Sequence, residues 1–352
     1  MQMEQILRRA MDLGASDIFV VAGLPMTFKV RGTQVREPAE ETLTPDMTRA
    51  FAREVYAIAG REELCVSGGA TDDDFSFSLS GIGRFRVNLF RQRGSIAAVV
   101  RVIRFGVPTA ESAHIPPEVM ELAGLKKGIV LVTGQAGSGK STTLACMIDH
   151  INHTRSGHIL TLEDPVEYIH RHDKCIVSQR EILCDCPSYV AALRSALRES
   201  PDVILLGEMR DRETMEVAMT AAETGQLLFS SLHTSGAANT IDRIIDAFPS
   251  NQQTQIRMQL SMVLQAVVSQ QLVPDIQGNP IPVFEIMKMN LAIRNMVREG
   301  KTHQMESAMA SGAAQGMRTM DGALLKLYQQ GRITRETALE YAANYDAMAK
   351  RI

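Results

Sequence analysis

Tryptophan is absent from this chain, and aromatic residues make up only 5% of its 352 positions. No long basic run occurs, and the formal net charge is −3. Both shortages count against a protein whose main partner is nucleic acid. Backbone binding needs clustered cations, and a single-strand channel needs a basic wall lined with aromatic rings. No apolar run approaches the length of a membrane span, and Met1-Gln2-Met3-Glu4-Gln5 opens no signal-peptide core. The expected location is therefore the cytoplasm, with any membrane association peripheral and made through a protein partner. Cysteine is scarce as well. The five are Cys65, Cys146, Cys175, Cys184 and Cys186, an odd number without a C-x-x-C pair. Reduced, unpaired thiols are expected rather than a disulfide or a metal site.

What remains is ordinary globular material, 45% hydrophobic and 22% charged. A chain of this length exceeds a single core, so two or three domains are expected. One stretch organises the rest. Gly134-Gln135-Ala136-Gly137-Ser138-Gly139-Lys140-Ser141-Thr142 fits the phosphate-loop pattern G-x-x-x-x-G-K-[ST] at every defined position. The apolar, β-branched Ile129–Thr133 precedes it as a buried strand, and a helix over 141–151 follows. That is the context the motif requires. The glycines let backbone N–H groups fold around a phosphate at the positive end of a helix. Lys140 reaches the β- and γ-phosphates of a nucleotide, and the Ser141 hydroxyl holds Mg²⁺.

Residues 1–105 read as a small mixed α/β domain. A short amphipathic helix over 4–13 precedes strands at 17–21 and 27–31, then a helix over 45–59. Asp74–Leu79 and Arg84–Phe90 alternate with period two around Gly81-Ile82-Gly83, which predicts a hairpin, and 96–103 adds a strand. The hairpin carries Arg84, Arg86, Arg91 and Arg93, with Arg101 beyond it. These are either a solvated sheet face or cations without a partner in their own domain, offered to a nucleotide elsewhere. Residues 106–128, broken by Pro108, Pro116 and Pro117, read as a linker with one short helix over 117–123.

Beyond the linker, strands alternate with helices, as in a mainly parallel sheet. Four strands are expected, at 129–133, 158–162, 203–207 and 227–232. Ligands of such sheets bind past the carboxyl ends of the strands. Those ends carry the phosphate loop, Glu163-Asp164, Glu208 and His233. Glu163, Asp164 and Glu167 are hard oxygen ligands suited to Mg²⁺. Asp202–Glu208 resembles the second acidic strand of phosphate-loop ATPases with Gly207 in the usual Asp position. Glu208 is left either to deprotonate or position the attacking water, or to pair with Arg210. His233 reads as structural or as a sensor of the γ-phosphate. A helix over 187–198 sets Arg194 and Arg198 on one face, facing an anionic partner or acids such as Glu199 and Glu208.

Together these segments resemble the secretion ATPases, most closely the PilT/PilU family of type IV pilus retraction motors, over nearly the whole chain. Thr161–His170 is similar to the family's Asp box and Gly207-Glu208-Met209-Arg210-Asp211 to its Walker B. Ser231–Thr234 with Thr240–Pro249 is similar to its His box, and Ala292–Glu299 to a motif of retraction motors. The resemblance implies a PAS-like N-terminal α/β domain (1–105), a linker (106–128), a RecA-like phosphate-loop ATPase core (129–286) and a helical C-terminal extension (287–352). It implies a homohexamer that hydrolyses ATP with Mg²⁺ between subunits. The nucleotide would be held by Gly134 to Thr142 and the metal by Ser141, Glu163 and Asp164. Catalysis would fall to Glu208, Glu163 and His233, completed by Arg86 and Arg101 of the N-terminal domain. The implied partners are an inner-membrane platform protein of PilC type and a paralogous pilus ATPase, with no direct nucleic acid. Phe19 and the tail from Gly316 to Tyr341 lean toward the PilU branch. A pilus-assembly or type II secretion ATPase is the sibling alternative. A RecA-like nucleic-acid translocase and a nucleotide-gated binding protein with negligible turnover are alternatives of other classes. On this reading Arg294 and Arg298 lie on an outward polar face of the C-terminal helix and read a neighbouring subunit or the platform protein.

Overall fold

The computed structural model describes residues 3–30, 32–36, 41–103 and 106–352. Met1, Gln2, Arg31 and Phe105, all placed by the sequence reading in its first domain and Arg31 within its second strand, lie outside them. The chain forms two compact units, Met1–Gly106 with Glu167–Ile169 and Val107–Val166 with His170–Ile352.

The first unit is built on a six-stranded antiparallel sheet in the order β3-β2-β1-β6-β5-β4. Its strands are β1 (Asp17–Val20), β2 (Thr27–Val30), β3 (Thr33–Arg36), β4 (Asp72–Leu79), β5 (Gly83–Gln92) and β6 (Ser95–Ile103). Alternation explains the core. Phe75, Phe77, Phe85, Val87 and Leu89 turn inward from β4 and β5, and the residues between them face out. The helix Pro45–Ala59 covers the inner face, starting at the Thr44 cap and ending at left-handed Gly60. The sequence reading missed β3, whose four exposed residues carry no apolar signal.

The second unit holds a seven-stranded sheet in the order β13-β12-β7-β11-β10-β8-β9. Its strands are β7 (Gly128–Thr133), β8 (Gly157–Glu163), β9 (Cys175–Glu181), β10 (Val203–Leu206), β11 (Leu227–Leu232), β12 (Leu264–Pro274) and β13 (Pro280–Lys288). All pairs are parallel except β12 with β13. The four expected strands form its centre, and β9, β12 and β13 are additions that the sequence reading did not make. Helices cover both faces, so β7, β10 and β11 are buried throughout. The segment before β7 is part of this core. A helix at Pro117–Met120 and a 3-10 turn at Glu121–Gly124 bury Val119, Leu122 and Ala123 against β7 and its helix. No helix among the described residues is long and apolar enough to cross a membrane.

In the helix Leu291–Glu299 both arginines have partners within their own chain. Arg294 donates to the carbonyls of Ser261 and Met262 and to Gln265 Oε1, and Arg298 Nε donates to Ser261 Oγ at 3.1 Å. Both therefore serve the C-terminal end of helix Ser250–Val263 in their own chain, where carbonyls lack helical partners. Arg294→Ala is expected to destabilise the chain by about 1–3 kcal/mol, since part-buried carbonyls lose a charged donor. Arg294→Lys should recover less than half, because an ammonium cannot reproduce the fork. Urea unfolding checks both, and an unchanged midpoint in Arg294→Ala would deny the staple.

Candidate functional site

The parallel order places the ends of β7, β11, β10 and β8 side by side, so their following residues share one edge of the sheet. The phosphate loop leaves β7 with Gly134, Gly137 and Gly139 at φ of 145°, 78° and 89°, values that a side chain resists. Two of them are also tightly enclosed. A Cβ on Gly134 would lie 2.1 Å from the Gln270 carbonyl oxygen, and one on Gly139 would lie 2.8 Å from Gln270 Nε2. Gln270 of β12 thus walls the loop, and its Oε1 accepts a hydrogen bond from Thr143 Oγ1 at 2.8 Å. No sequence pattern singles it out. The helix Lys140–Thr154 then starts within the loop. Gln135 and Ala136 are exposed, and Ser138 is buried. Its Oγ has no hydrogen-bond partner among the described residues. An open donor beside a cradle of glycines fits a phosphate group.

Lys140 Nζ donates to the carbonyls of Gly134 (2.9 Å) and Gln135 (2.8 Å) and lies 3.4 Å from His233 Nδ1. The other ring nitrogen of His233 lies 3.4 Å from Glu208 Oε1, and Arg210 Nε donates to Glu208 Oε2 at 2.7 Å. Lys140, His233, Glu208 and Arg210 therefore form one chain of polar contacts across three strand ends. Of the two roles considered for Glu208, the ion pair with Arg210 is formed, and its other oxygen faces His233. Ser231 Oγ ties β11 to the Gly207 carbonyl at 2.6 Å.

Glu163 ends β8 and Asp164 follows it, and Gln179 Nε2 donates to Glu163 Oε1 at 3.4 Å. Ser141 and Thr142 begin the loop's helix. Among the described residues no group of three or more His, Cys, Asp and Glu gathers to hold a metal alone. The donor set suits Mg²⁺ in another way, since that ion keeps several waters and takes phosphate oxygens with one or two protein ligands. Ser141, Glu163 and Asp164 carry oxygen donors of the type that such an ion takes.

Beyond β9 the unexplained cysteines acquire a place. None of the five cysteines forms a disulfide among the described residues. Leu183 N donates to the Cys186 carbonyl at 2.7 Å, closing a turn in which Cys184 Sγ reaches Glu181 Oε1 at 3.4 Å. Buried Glu181 also accepts from Val166 N at 3.2 Å, so this turn braces the acidic loop after β8. Arg194 pairs with Glu213 at 2.8 Å rather than with Glu199 or Glu208, and Arg198 donates to the Arg194 carbonyl.

A cleft of about 670 Å³ opens beside the phosphate loop, lined by Ala136, Ser235, Gln270, Glu285 and Tyr341 among others. Sequence reasoning also missed Glu285. It is buried on β13 and accepts from Ala237 N (2.6 Å) and Met320 N (3.1 Å), at the starts of two helices. Burial pushes its carboxyl up from the usual range, and the two N–H donors oppose that.

Arg86 and Arg101 lie in the first unit as direct cross-strand neighbours on β5 and β6. Like charges in that relation repel, and each has an acid in its own domain, against the reading of cations without a partner there. Arg86 grips Asp74 through two nitrogens at 2.9 and 2.6 Å, and Arg101 Nε meets Asp17 at 3.2 Å.

Comparison with known proteins gives a consistent answer. The family model for "Type II/IV secretion system protein" matches residues 2–314. The type IV pilus retraction ATPase PilT of Pseudomonas aeruginosa is 44% identical over 97% of this chain and 98% of its own. The type IV pilus ATPase PilU of the same organism is 41% identical over 97% and 89%. The crystal structure of the pilus retraction motor PilT with bound ADP superposes with a TM-score of 0.91 at 44% identity, covering 99% of both chains.

Proposed function

The chain belongs to the type II/IV secretion system protein family, among its PilT/PilU-type pilus retraction ATPases, and from that premise we propose that it is a hexameric motor that hydrolyses ATP to retract type IV pili. The observation that carries the chemistry is the contact chain Lys140–His233–Glu208 at the ends of three adjacent parallel strands. Gly134 to Thr142 hold the phosphates. Once a γ-phosphate draws Lys140 from the loop carbonyls, His233 registers the change, since it touches both Lys140 and Glu208. Glu208 takes the proton from the attacking water, with Arg210 holding its other oxygen and fixing its aim. Ser141, Glu163 and Asp164 would hold Mg²⁺, which supplies positive charge beside the transferring phosphoryl group.

The finer parts of this reading are an N-terminal domain of PAS-like kind, a platform protein at the inner membrane as the load, and work done from the cytoplasmic side, with a paralogous pilus ATPase as a second partner. Arg86 and Arg101 complete the nucleotide site of a neighbouring copy. A phosphate would compete with Asp74 and Asp17 for them and would relieve the repulsion between the two arginines. Mixing Arg86→Ala subunits with Glu208→Gln subunits tests this. Each variant alone should be nearly inactive, whereas mixed rings contain some interfaces with both groups intact and should recover part of the turnover. Activity that never exceeds the weighted sum of the two variants at any ratio would place the whole site within one chain.

A further inference from the structure

Gly207 sits where the second acidic strand of a phosphate-loop ATPase carries an Asp, and its surroundings explain the glycine. A Cβ there would lie 2.9 Å from the Tyr189 hydroxyl oxygen, 3.3 Å from the Leu162 carbonyl oxygen and 3.4 Å from Glu163 Cα. The backbone has no freedom to move aside. Gly207 N donates to the Leu162 carbonyl at 2.8 Å, and the Gly207 carbonyl accepts from Ser231 Oγ at 2.6 Å.

Tyr189 is equally fixed. It is the first residue of helix Tyr189–Ala196, whose start is capped by Ser188 and whose Ala192, Leu193 and Ala196 are buried. Its ring packs against the sheet core, and its hydroxyl makes no hydrogen bond among the described residues. Burial pushes the phenol up from its ordinary range. The carboxylates of Asp164, Glu163 and Glu208 add to this and Arg210 opposes it. At neutral pH a tyrosine hydroxyl is protonated in any case, so it keeps a donor to offer.

We propose that Tyr189 is a further positioning residue of the hydrolytic site, its hydroxyl standing over Gly207 in the place of the missing Asp side chain. The hydroxyl donates into the water held between the Glu163-Asp164 turn and Glu208, and so helps aim that water without taking its proton. A neutral donor from a helix thus fills the space that a carboxylate on the strand takes elsewhere. The inference rests on the ATPase reading above.

Tyr189→Phe keeps the ring and removes only the oxygen. Single-turnover hydrolysis of MgATP is expected to fall about tenfold, as loss of one hydrogen bond to the reacting water would do. MgADP affinity and the unfolding midpoint should not change. Gly207→Ala, which displaces the hydroxyl while leaving it in the chain, should lower the same step. A Tyr189→Phe rate within twofold of the parent would overturn the inference. So would a loss of MgADP affinity or stability in step with the rate, which would make the tyrosine packing alone. A parent protein without ATP hydrolysis would instead remove the ATPase reading itself, and the inference with it.

Discussion

Glu208→Gln is expected to bind MgATP as the parent does and to lose about 10²- to 10⁴-fold of its hydrolysis rate, the usual share of a general base. The amide retains an oxygen that can accept from Arg210, which bonds Glu208 at 2.7 Å in the parent. The local fold should therefore survive. What the amide lacks is basicity, so the loss falls on the chemical step and not on binding. Single-turnover hydrolysis together with a calorimetric titration of nucleotide separates the two. Near-parental turnover would take Glu208 out of catalysis and leave its contact with His233 a structural one.

Lys140→Ala should fail differently. Its ammonium is buried and spans the loop, donating to the Gly134 and Gln135 carbonyls. Those donors become available to phosphate oxygens when a nucleotide enters. Removing a charged donor costs about 1.5–3 kcal/mol, so MgADP affinity should drop roughly 10- to 100-fold. The loop also loses the group that ties its two ends together. If Lys140→Ala bound nucleotide as tightly as Glu208→Gln, the phosphate would have to lie elsewhere than over this loop.

The opposite failures of these two variants follow from features that were legible in the sequence. The phosphate loop, the four central strands and the polar residues after them all lie in short local patterns. A buried β-branched run, a turn and a helix leave little choice of topology in a parallel sheet. The parts that escaped depend on contacts distant in sequence. β12 begins at Leu264, directly after a helix that ends at Val263. No glycine or proline marks the change, and the mix of apolar residues with Gln265, Ser269, Gln270 and Gln271 shows no clear period. With β12 unseen, Gln270 had no reason to stand beside the phosphate loop.

The arginines of the C-terminal helix show the same limit from another side. Spacing assigned Arg294 and Arg298 a common face, but not what that face meets. It meets the end of a preceding helix, so their first duty is within the chain. Arg86 and Arg101 were legible as a cationic strip, whereas the acids beside them, Asp74 and Asp17, come from strands paired on either side. Tyr189 was read only as a helical residue. Its relation to Gly207 joins positions 18 apart that meet only because β8, β10 and the helix pack together.

If ATP hydrolysis at Glu208 drives pilus retraction, labelled pili on living cells will show it. Bacteria whose only copy of this protein carries Glu208→Gln should still extend pili, accumulate them on the surface, show no shortening events and fail to twitch. Pili that shorten at the parental frequency and speed in such cells would contradict the claim, and so would cells that make no pili at all, which would assign the motor to assembly.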